Sequence, residues 1–270
     1  MSMSDTEHNN VSPAVKGVKS AERALALLDF VAERRQVRFQ DVVDFGIPKS
    51  SAHGLLQTLT SKGWLDFSEQ DRKYKLGLHV WEIGNAYDGH RGLIDSADPV
   101  MDELVTQTSE TIQMARLEGI ENVYIAIRTS PHPMRMASSV GMRLHAHATG
   151  IGKALLSTLA PEEARKRLTS VVLPRLTPNT ETDVDELMKT LERVRDMGFA
   201  VDDEEFIEGC RCVAVPLTTI KETGIAAAIS VTMPKIRTDN AWPHSLYPVL
   251  QSARLRIRES MGLPDDLHLS

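Results

Sequence analysis

The stretch GIPKSSAHGLLQTLTSKGW, residues 46–64, constrains the fold more than any other part of the sequence. Its apolar residues recur at i, i+3, i+4 and i+7, the spacing of a helix face that packs against a core. They are Ala52, Leu55, Leu56 and Leu59. The opposite face carries one cation and short hydrogen-bonding groups, and the stretch contains no acidic residue. It therefore predicts an amphipathic helix whose backbone can come close to a partner on its polar side.

The elements on either side predict a winged helix-turn-helix domain over residues 16–77. Residues 20–33 have the period of a helix, with Ser20 as its N-cap, and a short second helix fits residues 40–45. WLDF, SEQDR and KYKL then read as the strand, turn and strand of a hairpin. Helix, helix, turn, helix and hairpin in this order define the winged helix-turn-helix pattern. The polar tail, residues 1–15, is predicted to be disordered.

The polar face of the long stretch is predicted to bind double-stranded DNA. A lysine and two hydroxyls in its first turn can bind phosphate together with free backbone N–H groups. His53 and Gln57 lie one turn apart and can reach base edges, and glutamine pairs well with adenine. Cations in the hairpin turn are placed to contact the DNA backbone beside the groove. The candidate DNA-binding residues are Lys49, Ser50, Ser51, His53, Gln57, Arg72 and Lys73. A winged helix that binds a protein partner is the alternative.

The charge distribution favours DNA binding by an assembly of chains. The net charge of the chain is −6, but residues 14–92 carry twelve Lys and Arg against ten Asp and Glu. Because one such weakly basic unit would bind DNA weakly, we expect a dimer or a larger assembly.

The remaining composition predicts a cytoplasmic protein with no membrane partner. The first fifteen residues lack the cationic and apolar segments of a secretion signal. The longest apolar run, GIAAAISVTM, is too short to cross a bilayer. The chain has two cysteines, Cys210 and Cys212, and so low a cysteine content fits a reducing compartment.

The second half, residues 93–270, predicts an α+β domain with a central antiparallel sheet and flanking helices. It follows a linker helix, residues 78–92, that includes the small polar segment DGHRG, a suitable domain boundary. Strands in hairpin order and amphipathic helices are typical of an antiparallel sheet covered by helices. Helices are predicted at residues 96–109, 183–197 and 242–261, and a short strand at residues 134–139.

A glycine-rich turn, HATGIGKALL, opens one helix of this second domain. Gly150 and Gly152 stand at the start of the helix, where free N–H groups and the helix dipole can bind an anion. A Walker-type phosphate loop does not fit, because His147 stands where glycine is required and Ala154 replaces the required Ser or Thr. From the residues alone, an anion site and glycines that only permit close packing both remain open.

The sequence resembles the IclR family of bacterial transcriptional regulators along nearly its whole length. In the first half, the likeness lies in KSAERALALLDFVAE, GIPKSSAHGLLQTLTSKGWL and RKYKLGLHVWEIG. In the second half, it lies in HPMRMASSVGMRLHAHATGIGKALLSTL, LERVRDMGFAVDDEEFIEGCRCVAVPL and AAAISVTMP. Gly54 departs from the family pattern, in which arginine is very frequent at this position of the recognition helix.

The resemblance implies a winged-helix domain, a linker helix and a GAF-like effector domain. It also implies a homodimer or a dimer of dimers that binds operator DNA with an affinity modulated by a small-molecule effector. In similar proteins, backbone amides at the glycine turn bind the effector carboxylate, and here these are the amides of Gly150 and Ile151. The other effector-binding positions carry over as Pro133, Met136, Asp202, Cys212, Ser230 and Thr232.

These positions suit a small carboxylic acid as the effector. Ser230 and Thr232 alternate along the last strand, so both side chains point to one face. Asp202 and the two hydroxyls can hydrogen-bond a polar substituent, whereas Pro133 and Met136 supply an apolar wall. This mixture fits a small acid with a hydroxyl or keto group, or an aromatic acid.

A metal-dependent sensor or enzyme is the alternative function for the second half. His145 and His147 alternate, as do Cys210 and Cys212, and together they could make a tetrahedral zinc site. Structural zinc sites prefer wider ligand spacing, however, and a strand cysteine is usually a small core residue. Because no matched nucleophile, cofactor loop or metal set is evident, we predict no enzyme activity, no metal and no cofactor.

Overall fold

The computed structural model of the chain describes residues 18–265, so the predicted tail at residues 1–15 lies outside the described part. The chain divides into two compact units, with the boundary between Gly89 and His90. Each unit contains its own hydrophobic core.

The first unit is a helix-turn-helix with a small antiparallel sheet. Its elements are α1 (Lys19–Arg34), β1 (Val37–Arg38), α2 (Phe39–Asp44), α3 (Lys49–Ser61), β2 (Leu65–Ser68), β3 (Lys73–Leu76) and α4 (Leu78–Ala86). The strand order is β1–β3–β2, and both pairings are antiparallel. The predicted order of helix, helix, turn, helix and hairpin is confirmed. The strand β1 is not predicted, because a two-residue strand has no period that a sequence can show.

The helix α3 packs on the core through the face that its period predicts. Ala52, Leu56 and Leu59 are buried, and Leu55 is half-buried. The turns on either side of α3 contain Gly46, with φ 104°, and Gly63, with φ 76°. Glycine adopts such positive φ values without the steric penalty of a Cβ atom. Burial of the apolar face leaves the polar face of α3 toward solvent.

Two helix ends differ from the predictions. Ser20 is not an N-cap: α1 begins one residue earlier, and Val18 precedes it without a side-chain capping bond. The start was misplaced because α1 is held by packing of its apolar face rather than by a polar cap. The helix after the hairpin, α4, ends at Ala86 and is shorter than the predicted linker helix of residues 78–92, since Tyr87 has extended backbone angles.

The second unit contains one six-stranded antiparallel sheet. Its strands are β4 (Thr111–Glu118), β5 (Glu121–Arg128), β6 (Arg143–His145), β7 (Ala200–Asp203), β8 (Cys210–Thr218) and β9 (Ala227–Pro234). Its helices are α5 (Arg91–Thr108), α6 (Gly150–Leu156), α7 (Pro161–Thr169), α8 (Val184–Met197), α9 (Ile220–Thr223) and α10 (Tyr247–Ser260). The strand order is β6–β5–β4–β9–β8–β7.

Helices cover both faces of this sheet. Side chains from α5 and α10 pack with one set of strand residues, including Val213 and Ile229. Side chains from α6, α7 and α8 pack with the alternate residues, including Ala214 and Ala228. Because successive residues of a strand point to opposite faces, each buried strand contributes to both cores. The predicted α+β class with a central antiparallel sheet and flanking helices is confirmed.

Three elements of the second unit differ from the predictions. The predicted helix at residues 96–109 begins earlier, at Arg91, and the predicted terminal helix at residues 242–261 begins later, at Tyr247. The predicted strand at residues 134–139 does not form. This segment pairs with no strand of the sheet, and the carbonyl of Met134 accepts instead from Arg237 Nη1 at 3.0 Å. This segment is a loop that leads into β6.

Candidate functional site

The polar face of α3 is the first candidate site. Lys49, Ser50, His53 and Gln57 are exposed, and Ser51 is half-buried. Lys49 forms no ion pair with any residue between 18 and 265. The helix begins without a side-chain cap, so the N–H groups of Lys49 and Ser50 keep their hydrogen-bonding capacity, whereas those of Ser51 and Ala52 bond to the Pro48 carbonyl. This end of α3 therefore presents donors and a free cation, which is the chemistry that binds phosphate.

A surface groove runs between α3 and the β2–β3 hairpin. It is lined by His53, Leu56, Gln57, Thr60, Ser61, Phe67 and Tyr74. The rings of Phe67 and Tyr74 lie 4.6 Å apart and form the hairpin side of the groove. The groove thus brings the two predicted base-reading side chains together with the aromatic pair of the hairpin.

The hairpin turn carries the two remaining predicted DNA contacts. Arg72 has a positive φ of 55°. Its Nη1 atom lies 3.3 Å from Glu69 Oε2, and its guanidinium group lies over the ring of Phe67. The Nζ atom of Lys73 donates to Gln36 Oε1 at 3.4 Å. Exposed contacts of this kind contribute little to stability. Both cations could therefore exchange their present partners for phosphate at little cost.

A small cavity in the second unit is the second candidate site. It is lined by Tyr124, Met136, Thr149, Ile151, Asp202, Phe206, Ile207, Cys210, Cys212 and Thr232. Five predicted effector-binding residues lie on this lining, and they are Met136, Ile151, Asp202, Cys212 and Thr232. The cavity volume is about 10 Å³, roughly the space of one water. An organic acid therefore needs wall side chains to move before it can enter.

Strand register explains how distant residues meet in this cavity. Asp202 on β7 pairs with Cys212 on β8, and Cys212 pairs with Thr232 on β9. Residues that pair directly across antiparallel strands point to the same face of the sheet. The three side chains consequently form one row across the cavity wall.

Asp202 is the buried acid of this row. Its Oδ1 atom accepts hydrogen bonds from the backbone N–H groups of Glu205, at 2.7 Å, and Phe206, at 3.3 Å. Burial raises the pKa of Asp202 to about 7, although the nearby Lys153 ammonium lowers it. Lys153 is itself buried and forms an ion pair with Glu205. The carboxyl is therefore poised to change charge near neutral pH.

The cysteines at the cavity do not have the properties of reactive thiols. Burial, and to a lesser extent the Asp202 carboxylate, raises the pKa of both Cys210 and Cys212 to about 12. Burial also raises the pKa of Tyr124. Since the thiolate is the nucleophile and the metal ligand, neutral thiols of this kind are inert at physiological pH.

The two glycines in the first turn of α6 meet different surroundings. A Cβ atom on Gly150 would lie 3.2 Å from both the backbone nitrogen of Asp202 and the Sγ atom of Cys212. A Cβ atom on Gly152 would lie 2.3 Å from Ala146 backbone atoms, so only glycine fits there. Thr149 caps the helix, accepting from the N–H of Gly152 at 3.1 Å. Gly150 therefore borders the cavity wall, whereas Gly152 allows close packing.

Three predicted effector-binding residues lie outside the cavity lining, and they are Gly150, which borders the cavity wall, Pro133 and Ser230. Pro133 is exposed in the loop between β5 and β6. Ser230 is buried, and its Oγ atom donates to Gln113 Oε1 at 3.1 Å. The alternation on β9 is as predicted, because Thr232 Oγ1 donates to the same oxygen at 2.9 Å.

Sequence reasoning missed several residues of the site. Tyr124, Thr149 and Phe206 line the cavity, and Gln113 lies behind Thr232. Gln113 and Thr111 are the polar residues that alternate within TIQMARL, and this pattern was a usable signal. No sequence pattern places Tyr124, Thr149 and Phe206 at the cavity, because their positions depend on which strands and loops become neighbours.

The histidines and cysteines proposed for the alternative function do not form a metal cluster. His147 is buried, its Nε2 atom lies 3.0 Å from the carbonyl of Pro174, and burial lowers its pKa. Its ring lies 5.8 Å from that of His145. Across residues 18–265, no three or more His, Cys, Asp or Glu side chains converge in a way that could hold a metal ion.

Among the helices between residues 18 and 265, none combines the length and apolar character that a membrane crossing requires.

Comparison with family models covers both units. The model described as the IclR helix-turn-helix domain matches residues 20–69. The model described as bacterial transcriptional regulator IclR C-terminal matches residues 86–258.

Curated relatives align along most of the chain. The chain is 33% identical over 249 residues to the HTH-type transcriptional regulator XynR of Escherichia coli strain K12, covering 92% of this chain and 98% of XynR. It is 34% identical over 230 residues to the HTH-type transcriptional repressor AllR of the same strain, covering 83% of each chain.

Solved structures of similar proteins share the fold. The IclR protein of Thermotoga maritima has a TM-score of 0.72 at 26% identity, covering 90% of this chain and 99% of that chain. An IclR homologue of Microbacterium hydrocarbonoxydans complexed with 4-hydroxybenzoate has a TM-score of 0.76 at 25% identity, covering 88% of this chain and 99% of that chain.

Proposed function

The chain belongs to the IclR family of bacterial transcriptional regulators, and from that premise we propose how it binds operator DNA and which effector class it senses. The first unit would bind double-stranded DNA through the polar face of α3 and the hairpin turn. The second unit would bind a small organic acid or aromatic acid in the cavity beside Asp202. Relatives are named as regulators and repressors, and the cavity thiols are neutral, so we propose no catalytic step.

The acid-free, exposed face of α3 supports the DNA-binding half of this proposal. Lys49, Ser50 and Ser51 would contact phosphate at the start of α3, and His53 and Gln57 would reach base edges. In a homodimer, two such helices would enter successive major grooves about 34 Å apart on a roughly palindromic operator. A dimer of dimers would bind a second site in the same manner. Because its target is bacterial DNA, the protein would act in the cytoplasm.

The polar row in a cavity that apolar side chains also line is the observation that carries the effector-binding half. Asp202, Cys212 and Thr232 face a space that Met136 and Phe206 also line. The amides of Gly150 and Ile151 would bind the effector carboxylate, as the family resemblance implies. The relative complexed with 4-hydroxybenzoate binds a molecule with a carboxylate and a hydroxyl. These are two groups that the proposed site would bind, the carboxylate at the glycine amides and the hydroxyl at the polar row.

The small cavity volume provides a route from effector binding to DNA affinity. A cavity of about 10 Å³ must expand around an organic acid, so Met136 and Phe206 would move outward. The acid then binds the expanded arrangement better than the present one. An effector can shift DNA affinity only as far as it binds two arrangements unequally.

Binding of the full-length protein to a fragment of its own promoter region tests the DNA-binding half. We expect a saturable mobility shift whose affinity falls steeply with salt concentration, because phosphate contacts release counterions. A fragment of equal length from inside a coding region serves as the control. Equal affinity for both fragments at every salt concentration would contradict operator recognition.

A thermal-shift screen of small carboxylic acids tests the effector-binding half. We expect at least one acid to raise the Tm with increasing concentration and to alter the promoter shift. The matching primary amides, which lack the negative charge, serve as controls and should have little effect. If no acid raises the Tm, or if amides act as well as acids, a carboxylate effector is the wrong class.

A further inference from the structure

Gln113 connects the effector cavity to the interior of the sheet. It lies in β4, is fully buried and faces β9. Its Oε1 atom accepts hydrogen bonds from Ser230 Oγ, at 3.1 Å, and from Thr232 Oγ1, at 2.9 Å. On its other side, Nε2 donates to Ser138 Oγ at 3.5 Å. One carboxamide oxygen therefore engages both hydroxyls of the last strand.

This arrangement determines what the hydroxyl of Thr232 can offer a ligand. A hydroxyl has one proton and two lone pairs. Because the proton of Thr232 points to Gln113, one lone pair can accept from the neighbouring Cys212 thiol and the other remains for the cavity, so Thr232 can accept but not donate. Thr232 lines the cavity, whereas Ser230 does not, so of the two β9 hydroxyls it is Thr232 that a ligand meets.

The neighbouring groups of the row add to this acceptor character. Above its pKa of about 7, Asp202 is ionised and offers oxygen lone pairs and no proton, so the acceptor character of the wall is greatest above this pH. The neutral Cys212 thiol is only a weak donor. Tyr124 contributes a hydroxyl that can turn either way, so it does not change the preference. The wall formed by β7, β8 and β9 thus presents mainly hydrogen-bond acceptors.

We propose that Gln113 selects effectors that carry a hydroxyl, rather than a keto or ether oxygen, on the group that faces Thr232. This inference rests on the proposed carboxylate-binding function of the cavity. A ligand hydroxyl donates to Thr232, whereas a carbonyl or ether oxygen there places two acceptors against each other in a buried site. Sites that hydrogen-bond a ligand hydroxyl discriminate strongly against analogues that cannot supply the bond.

The orientation of the Gln113 carboxamide is the point on which the inference depends. With the amide reversed, Nε2 would donate to both hydroxyls and release their protons toward the cavity. Thr232 would then donate to a ligand, and keto acids would be preferred. A preference for hydroxyl compounds therefore requires the orientation in which Oε1 faces β9.

Paired ligands that differ in one oxygen test the inference on the full-length protein. Suitable pairs are lactate and pyruvate, mandelate and phenylglyoxylate, and 4-hydroxybenzoate and 4-methoxybenzoate. For pairs that bind, we expect the hydroxyl compound to have a Kd at least about tenfold lower than its partner, measured by titration calorimetry. Equal binding, or tighter binding of the keto or ether compounds, overturns the inference.

Two variants test whether Gln113 causes the preference for hydroxyl compounds. Gln113→Leu removes the acceptor, frees both hydroxyl protons, and should reduce or invert the preference. Gln113→Glu retains an acceptor oxygen toward both hydroxyls and should retain the preference for hydroxyl compounds. If Gln113→Leu does not fold, Thr232→Val decides, because it removes the acceptor that the ligand meets and should abolish the preference. A preference that persists in Thr232→Val overturns the inference.

The same titrations separate the two possible failures. If no carboxylic acid binds the wild-type protein, the proposed effector function and this inference both fail. If acids bind but the hydroxyl compounds have no advantage, only the role of Gln113 fails.

Discussion

The two candidate sites obey opposite physical rules. On α3, four of the five candidate DNA-binding side chains are exposed, and Lys49 has no ion-pair partner within the described part of the chain. In the second unit, Asp202 and Thr232 are at most 6% exposed and bond to neighbouring groups. An exposed site tolerates change in its surroundings and depends on which residue types are present. A buried site depends on how every neighbour is placed, so small changes should affect folding as well as binding.

The largest expected effect comes from adding one methyl group inside the second unit. In Gly152→Ala, the new Cβ would lie 2.3 Å from Ala146 backbone atoms and 2.5 Å from Thr149 Oγ1. Backbone atoms cannot move aside as a flexible side chain can, so we expect a loss of about 3 kcal/mol or more in the free energy of unfolding. Calorimetry of the full-length protein measures this loss. A Tm of the second unit unchanged from wild type would show that the turn can relax.

The next largest effect should be a pH dependence of stability, which arises from the charge of the buried Asp202 carboxyl. The pKa of Asp202 is raised from 3.8 to about 7, so between these pH values the folded protein holds a proton that the unfolded chain releases. Stability therefore falls as pH rises from about 4 to about 7 and stays low above that range. Asp202→Asn keeps an oxygen for the amides of Glu205 and Phe206 and removes this dependence.

We therefore expect Asp202→Asn to gain stability relative to wild type as pH rises, by at most a few kcal/mol at pH 8. Thermal unfolding of both proteins at several pH values provides the measurement. A difference in Tm that is the same at about pH 4 and pH 8 would show that Asp202 does not titrate in this range.

On the exposed site, the loss of a base-reading side chain should affect specificity and leave folding intact. Gln57→Ala should remove about 1–3 kcal/mol of discrimination at one base pair of each half-site. Competition binding with operators substituted at each position measures this quantity. The affinity for unrelated DNA should stay unchanged, and a uniform loss across all sequences would assign Gln57 to backbone contact instead.

A smaller and uniform effect is expected from the cation at the start of α3. Lys49→Ala should weaken binding to all DNA sequences and reduce the slope of log K against log salt by about one for each phosphate that the variant no longer neutralises. Lys189, an exposed lysine of the second unit that pairs with Glu186, provides a matched control, since Lys189→Ala removes the same charge elsewhere. Equal salt slopes for the two variants would exclude Lys49 from phosphate binding.

The smallest expected effect is a gain in stability of the first unit when Gly54 of α3 is replaced. Gly54 is an exposed helical residue, and a Cβ atom there would have no other atom within 4 Å. Because glycine weakens a helix interior, Gly54→Ala should stabilise the first unit by about 0.5–1 kcal/mol. A denaturant titration that reports on α3 measures the gain. A loss of stability would mean that this face is covered in the assembled protein.

Local patterns predicted much of the fold and which face of α3 is exposed. The spacing of Ala52, Leu56 and Leu59 identified the buried face of α3, and its polar residues followed from the same period. The alternation of Ser230 and Thr232 placed both hydroxyls on one face of β9. The predictions that were wrong, such as the N-cap at Ser20 and the strand at residues 134–139, are those in which tertiary packing overrides a weak local preference.

By itself, therefore, the sequence determined the family, the fold class and the face of α3 that is free to bind, because these depend on residue type and short-range period. Only the tertiary structure decided that Asp202, Cys212 and Thr232 form one row, that Gln113 lies behind it, and that Gly152 admits no side chain. These facts depend on which strands pair and in what register. Register arises from the packing of the entire sheet, and no single stretch of the chain contains that information.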